Sequence, residues 1–522
     1  MASWPKFWGK CKSRLSAIGR CCYHSRNRWQ RRCQKLRVAV AEEKLARAQC
    51  ESQLKELERE NQQLRAEFEK LKRDEEPAKS ASPVPEWLLG DPVPGHTYRA
   101  GMIALSVNLA REIGLRPGER VTRIVFDWLQ VSWQSPCYQS SRGWMQRAGL
   151  DRMQRAERVD DGIWLVDHSV QMGSEKLLAM LRVRASCLPP QGTPLRHEDM
   201  EVICIQLGKE WKQADVLKAY EETAQRVGHP LGILTDGAVE LREPAEKLKN
   251  QGKSPLVIRD LKHYLANRLE AQLSRCPNWQ KFMELVGTMR SSVQQTEMAH
   301  FIAPSLKRKA RFMNLEPILK WATVLLWHVQ HLTSRSREGI ASERIESKFG
   351  WLREFESCIQ QWEECQRVIS AALTFFNNNG VYRGAAKQFS RELKEPPRYD
   401  SSRQLLQETL EFVRAIEKKL RPGQRLPIST EILESAFARL KQLEQQHSKG
   451  GFTSLILVFP TLLKPTTPEE IIESFGRVTV EDVRRYIKDH LPVTLAARRQ
   501  RVYREAKGKK SKQCATQTNV AA

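Results

Sequence analysis

Between residues 162 and 274, short apolar runs alternate with longer helical periods, and this alternation restricts the fold more than any other feature of the chain. Gly162–Asp167 (Gly-Ile-Trp-Leu-Val-Asp), Lys176–Ala185, Glu201–Leu207, Leu231–Thr235 and Pro255–Ile258 have the length and apolar density of buried strands. The first three follow one another across turns, as hairpins do. Helices expected at Gln213–Arg226 and near 240–249 separate the later strands, and another begins at Leu261. Hairpin strands followed by alternating helices and strands predict a mixed α/β sheet. From about 275 to 425 the pattern is helical throughout and carries Trp279, Trp321, Trp327, Trp351 and Trp362. A block of that length exceeds any connection within a sheet, so it is expected to be an inserted all-α domain.

Two of the strand runs end in a carboxylate. Asp167 closes the first and Asp236 closes Leu-Gly-Ile-Leu-Thr. Ligands of α/β sheets gather at the carboxyl ends of strands. A third acid, Glu434, lies inside the helical stretch Ser429–Lys441, with Glu431 one turn earlier as a rival. Two strand-end aspartates and one helical glutamate supply the oxygen donors that hard divalent cations prefer. Such a set can hold two ions ~3.5–4 Å apart, which activate an attacking oxygen and stabilise the leaving oxygen of a phosphodiester. Plainer roles exist for each residue. Asp236-Gly237 is an ordinary turn signal. Asp167 can cap a hairpin, with Asp160-Asp161 as competitors. Asp260, in Asp-Leu-Lys-His263, can cap the helix that begins at Leu261.

The order strand-Asp, strand-Asp, helix-Glu resembles the DDE transposases of bacterial insertion sequences. That resemblance implies a ribonuclease-H-like mixed-sheet core at 160–274 and 426–494, interrupted by an all-α insertion at 275–425. It implies an enzyme that cleaves DNA and transfers strands at insertion-element ends. Two Mg²⁺ ions, or Mn²⁺ in their place, would be held by Asp167, Asp236 and Glu434, with Asp167 bridging. Asp260 and His263 match an auxiliary Cys/Asp-x-x-His motif of several such superfamilies. Arg439 and Lys441, on the helix of Glu434, would meet DNA phosphates. The partner would be double-stranded DNA, both element ends and target, in a bacterial cytoplasm. Two other functions use the same parts: an inactive, dimeric DNA-binding regulator, or a two-metal nuclease without strand transfer.

Charge supports a polyanionic partner. The chain has 522 residues and a net charge of +25. Residues 1–40 hold 11 Lys/Arg and no acid, and residues 495–522 hold eight Lys/Arg and one Glu. The segment 1–35 mixes Trp4, Phe7, Trp8, Tyr23 and Trp29 with its cations, a composition suited to stacking on bases and lying along phosphates. Cys11, Cys21, Cys22, His24 and Cys33 lack the paired spacing of a zinc site. Residues 36–76 predict a coiled coil. Leu54, Leu57, Asn61, Leu64, Phe68 and Leu71 alternate steps of three and four, and Asn61 at an a position favours a parallel homodimer. A Pro-rich linker, 77–97, leads to helices expected at Tyr98–Ile113, Pro117–Leu129 and Gln139–Ala148. These resemble a helix-turn-helix domain, 98–156, whose third helix would carry Arg142, Trp144 and Arg147 into a DNA groove. A basic disordered tail is expected at 495–522. No signal peptide is expected, since Trp4, Lys6 and Lys10 interrupt any opening apolar stretch, and no membrane span, since the longest apolar run, Phe452–Leu463, contains Pro460 and is far short of the ~20 residues a spanning helix needs.

Overall fold

The computed structural model describes residues 90–128, 134–172, 175–248, 255–305, 312–331, 342–445 and 453–491, with isolated helical residues at 56, 59, 62, 63, 499, 502 and 503. The basic segment 1–35 with its Cys/His set, all but four residues of the expected coiled coil 36–76, and the tail beyond 503 lie outside the described residues. The chain divides into two compact units, Met1–Pro83 and Val84–Ala522, and the sheet and its surrounding helices belong to the second.

Three helices come first: α1 (Ala100–Ile113), α2 (Leu115–Trp128) and α3 (Tyr138–Gln154). Strands β1 (Gly162–Met172), β2 (Glu175–Arg184) and β3 (Glu201–Gly208) come next. Then come α4 (Gln213–Val227), β4 (Gly232–Thr235), α5 (Val239–Lys247) and β5 (Leu256–Arg259). The strands form one five-stranded mixed sheet in the order β3-β2-β1-β4-β5. The first three pair antiparallel, whereas β4 and β5 run parallel to β1. Strand alternation divides the side chains between two faces. Trp164, Val166, Met180, Ile203 and Ile233 meet Val216 and Tyr220 of α4 and Leu241 and Ala245 of α5. Ile163, Leu165, Leu234 and Ile258 face the other way, into the main core.

β1 is longer than its apolar run. Its parallel pairing with β4 ends at Val166, but its antiparallel pairing with β2 continues to Met172 across an irregularity between Asp167 and Val170. Asp167 therefore sits at a break within the strand rather than at its end. Such a break re-aims a side chain beside the row of paired residues.

From α6 (Leu261–Leu273) the chain enters a helical block. It comprises α7 (Pro277–Val293), α8 (Glu316–Gln330), α9 (Ser342–Phe349), α10 (Glu356–Asn379), α11 (Ala385–Glu392) and α12 (Asp400–Glu417). Its centre is aromatic: Trp279 meets Trp362 edge-on at 4.9 Å, and Phe282 packs against Trp351, Phe355 and Trp362. The chain returns through a bridge between Val381 and Leu426 into α13 (Glu431–Gln445). Three short helices finish the fold: α14 (Phe459–Leu463), α15 (Pro468–Arg477) and α16 (Val480–His490). Thr479 and Asp482 form the capping box that their spacing predicts. No helix among the described residues is long and apolar enough to cross a membrane.

The third helix differs from its expected role. Ten residues of α3 are buried, including Trp144, Met145, Arg147, Gly149 and Leu150, and α3 packs against α1, α2, α14, α15 and α16. Trp144 is 6% exposed and meets Tyr98 edge-on. The guanidinium of Arg147 donates to the carbonyls of Phe475 (2.6 Å) and Val478, approaches His96 Nε2 at 2.8 Å, and lies over the Phe475 ring at 4.1 Å. With its donors engaged inside the fold, Arg147 cannot read a base edge, and neither can the buried Trp144. Both are core residues, which corrects the recognition-helix expectation. Arg142, on the same helix, is half-buried.

Gly149 marks how tightly α3 is enclosed. A Cβ at this position would lie 1.9 Å from the Leu457 carbonyl oxygen. Gly149→Ala should therefore lower stability by about 3 kcal/mol or more in urea unfolding, because backbone must move to relieve the clash. An unchanged midpoint would show that α3 is not packed as described.

Candidate metal centre

Strand register assembles the site. In the parallel half of the sheet, Val166 on β1 pairs with Thr235 on β4, which pairs with Arg259 on β5. One residue beyond each member of that row stands an aspartate: Asp167, Asp236 and Asp260. Adjacent strands lie about 4.8 Å apart. In-register residues of parallel strands share a face, here the face of Leu165, Leu234 and Ile258, on which the main core lies. Helix α13 packs against β1, bringing Glu431 and Glu434 to the same side of the sheet.

Each carboxylate has its own surroundings. Asp167 is 7% exposed, and His168 Nδ1 lies 4.0 Å from its Oδ1. That ring nitrogen is itself buried and makes no hydrogen bond. Asp236 accepts a 2.8 Å hydrogen bond at Oδ1 from the Ala238 N–H, so the turn role read from Asp-Gly is real. A carboxylate has further lone pairs, so the turn does not exhaust its capacity to ligate. Burial raises the Asp236 carboxyl above the usual aspartate range. The negative charge of Asp167 adds to the rise, against the Ala238 hydrogen bond and the charges of His263 and His168. A carboxylate raised by burial and by a neighbouring anion is one whose charge a bound cation would relieve.

Asp260 is fully buried and takes the capping role. Its Oδ1 accepts from the His263 N–H at 2.7 Å and lies 2.9 Å from His263 Nδ1. Its Oδ2 accepts from the Thr430 N–H at 2.6 Å and from the Thr430 hydroxyl at 3.0 Å. Burial alone would raise this carboxyl, but the His263 and Thr430 hydrogen bonds and the His263 charge hold it below the ordinary range. His263 shows the converse. Burial would lower it, and the hydrogen bond and charge of Asp260, with the charges of Asp236 and Glu434, raise it instead. The ring thus lies in the field of both Asp236 and Glu434.

Lys262, inside the same four-residue motif, carries no sequence signal that singles it out. Its Nζ lies 2.9 Å from Glu434 Oε2 and 3.1 Å from Glu431 Oε1. Burial opposes its charge, but the two glutamates overcome that and raise it. Glu431 also accepts from Asn377 Nδ2 at 2.5 Å and borders a cavity of about 270 Å³ between the 188–195 loop and the start of α13. Farther along α13, Arg439 donates to the Leu462 carbonyl at 3.2 Å, whereas Lys441 is exposed.

The donor set suits a hard divalent cation in kind: carboxylate oxygens on one face of a sheet edge, with an ammonium already drawn to one of them. Among the described residues no three His, Cys, Asp or Glu side chains lie close enough together to hold one ion. Glu434 in particular faces Lys262 rather than the two aspartates.

Asp260 should be the stabilising member of the group. Asp260→Asn removes the buried anion that His263 and Thr430 are bonded to, which should cost about 3 kcal/mol in urea unfolding at pH 5–6. Because Asp260 is held low, its contribution is present above the ordinary aspartate value and is lost as pH falls through its folded value. Because His263 is held high, its contribution is present below the ordinary imidazole value and is lost as pH rises through its folded value. The difference between wild type and variant should therefore be full between about pH 4 and pH 6.5 and shrink outside that window. A difference independent of pH would contradict the ion pair.

No protein-family model and no curated protein matches the chain. Among solved structures, the Drosophila P element transposase strand transfer complex is similar to it, at 10% identity and a TM-score of 0.33, over 81% of this chain and 100% of that chain. A likeness that distant decides nothing about chemistry.

Proposed function

We propose that the chain is a DDE transposase with a ribonuclease-H-like core, which cleaves DNA at the ends of an insertion element and joins it to a target. The observation that supports this proposal is the register row of Val166 and Thr235, one residue beyond which Asp167 and Asp236 follow on neighbouring strands, with the helix of Glu434 packed against β1. The strand order β3-β2-β1-β4-β5, with three antiparallel strands followed by two parallel ones, suits that core.

Asp167 and Asp236 would hold divalent Mg²⁺ or Mn²⁺ from the sheet, and Glu434 would complete the set from α13. The cations would supply charge for the attacking and leaving oxygens of a phosphodiester. Asp260, buried and bonded to both His263 and Thr430, acts as a positioning residue with His263 as its partner: its bonds to Thr430 fix where α13 starts, and hence where Glu434 stands. Lys441 is exposed on the same helix, about 10.5 Å along the axis from Glu434, a distance suited to a flanking phosphate. The basic ends of the chain would add sequence-independent contacts to DNA.

Asp167→Asn, Asp236→Asn and Glu434→Gln should each reduce Mg²⁺-dependent cleavage of element-end DNA by at least about 10³-fold, roughly 4 kcal/mol of barrier, while DNA binding persists. Wild-type-like cleavage by any one of them would remove that residue from the centre. Lys441→Ala should weaken binding to element ends, measured by mobility shift, and leave cleavage of already bound substrate metal-dependent. Unchanged binding would return Lys441 to a solvated helix face.

A further inference from the structure

The outer edge of the sheet gathers positive charge beside Asp236. Strand β5 is the last in the sheet order, and its final residue is Arg259. The Arg259 side chain lies against Gly237, where a Cβ would come 2.5 Å from its Nε. It therefore stands next to the turn that follows Asp236. The ring of Tyr264 on α6 stacks on Phe412 of α12 at 4.1 Å and carries two guanidiniums, Arg268 at 5.1 Å and Arg259 at 5.8 Å. Stacking on an aromatic ring holds a guanidinium fork in place. Arg242 of α5 and Lys419, just past α12, join Arg259 in lining a cavity of about 200 Å³.

The protein itself leaves much of this charge unanswered. Arg259 Nε is buried and makes no hydrogen bond. Among the described residues no carboxylate lies within ion-pair distance of Arg259, Arg268 or Lys419. The acids nearby have other partners: Glu246 pairs with Arg242 at 3.8 Å, Glu408 accepts from Gln404, and Glu411 accepts from Gln407. Burial lowers Arg259 from the ordinary arginine range. The charges of Arg268 and Arg242 lower it too, against Asp236 and Tyr264. A guanidinium lowered by burial and by neighbouring cations is one whose charge a bound oxyanion would stabilise. Guanidinium forks match phosphate oxygens in geometry as well as in charge.

We propose that Arg259, Arg268 and Lys419, joined by Arg242, form a phosphodiester-binding site that holds a DNA strand along the β5 edge, beside Asp236. The anion site stands on this cluster alone, and the assignment of its phosphate to DNA rests on the proposed function. Free phosphate has the same chemistry, so the test separates the two sources.

The full-length protein is treated with phenylglyoxal in EDTA, and the modified arginines are mapped by mass spectrometry. The reaction is run alone, with a DNA duplex and with inorganic phosphate. Duplex at about ten times its Kd should slow modification of Arg259 and Arg268 about tenfold. Arg403, about 20 Å from the C-terminal end of α12, should keep its rate. Arg268→Gln combined with Lys419→Gln should lower the log–log salt slope of duplex binding by roughly 1–2. Both positions are exposed, so this variant leaves the packing of Arg259 intact. Protection by inorganic phosphate without protection by duplex would overturn the DNA assignment. Equal protection of Arg403 would mean that DNA merely coats the chain, and would overturn the site, as would no protection with an unchanged slope. None of these outcomes involves a divalent ion, so they leave the carboxylate reading to its own cleavage test. Conversely, wild-type cleavage by the Asp167, Asp236 and Glu434 variants would remove the transposase reading, while protection of Arg259 by DNA would still establish the anion site.

Discussion

One buried carboxylate holds the two halves of the candidate site together. Asp260 ends the parallel half of the sheet, and its two oxygens divide their work. Oδ1 binds the start of α6, through the backbone and ring of His263. Oδ2 binds the entry to α13, through the backbone and hydroxyl of Thr430, 170 residues later. A backbone hydrogen bond from Leu261 to the Ile428 carbonyl runs alongside. The helical block thus leaves and re-enters the core at one point. An insertion closed in this way can be large without displacing α13, because the position of Glu434 is set by the closure and not by the path between. The burial of Asp260 makes that closure exacting: an oxygen deprived of its donors there would leave a charge uncompensated in a dry interior.

The electrostatics of the site depend on the same closure. His263, whose proton affinity Asp260 raises, lies within the field of both Asp236 and Glu434. Lys262, its neighbour on the first turn of α6, answers the two glutamates of α13. The cap and first turn of one helix thereby supply the anchor, a lysine and a histidine beside the carboxylates that flank them. Asp236 is raised by burial and by the charge of Asp167, and in the proposed metal centre this is the repulsion a divalent ion would relieve.

Much of this is legible in the sequence, for physical reasons that differ by residue. The five strands are readable because each is a short apolar run between turn residues, and the Thr479–Asp482 capping box because its chemistry is local. The capping role of Asp260 is readable for the same reason, but not its bond to Thr430, since nothing local marks a partner 170 positions away. The end of β1 is hidden because Asp167 interrupts the apolar pattern while the antiparallel pairing continues past it. Helix α3 misleads because its polar residues look like a surface. Arg147 finds its acceptors on carbonyls more than 320 residues downstream, and backbone acceptors leave no mark in composition. Lys262 is hard to see because the chemistry of Asp-Leu-Lys-His sits at its two ends, and a lysine on a first helical turn is ordinarily a solvated residue.

Iron-directed cleavage of the backbone measures the central claim directly. Fe²⁺ bound in place of Mg²⁺, with ascorbate and peroxide, releases hydroxyl radicals that cut the chain within a few ångströms of the metal. If Asp167, Asp236 and Glu434 share one centre, cuts should appear together around residues 167, 236 and 434, and Asp236→Asn should suppress all three. Cuts near 167 and 236 with none near 434, or cuts that persist in the variant, would contradict a single centre built across the sheet edge and α13.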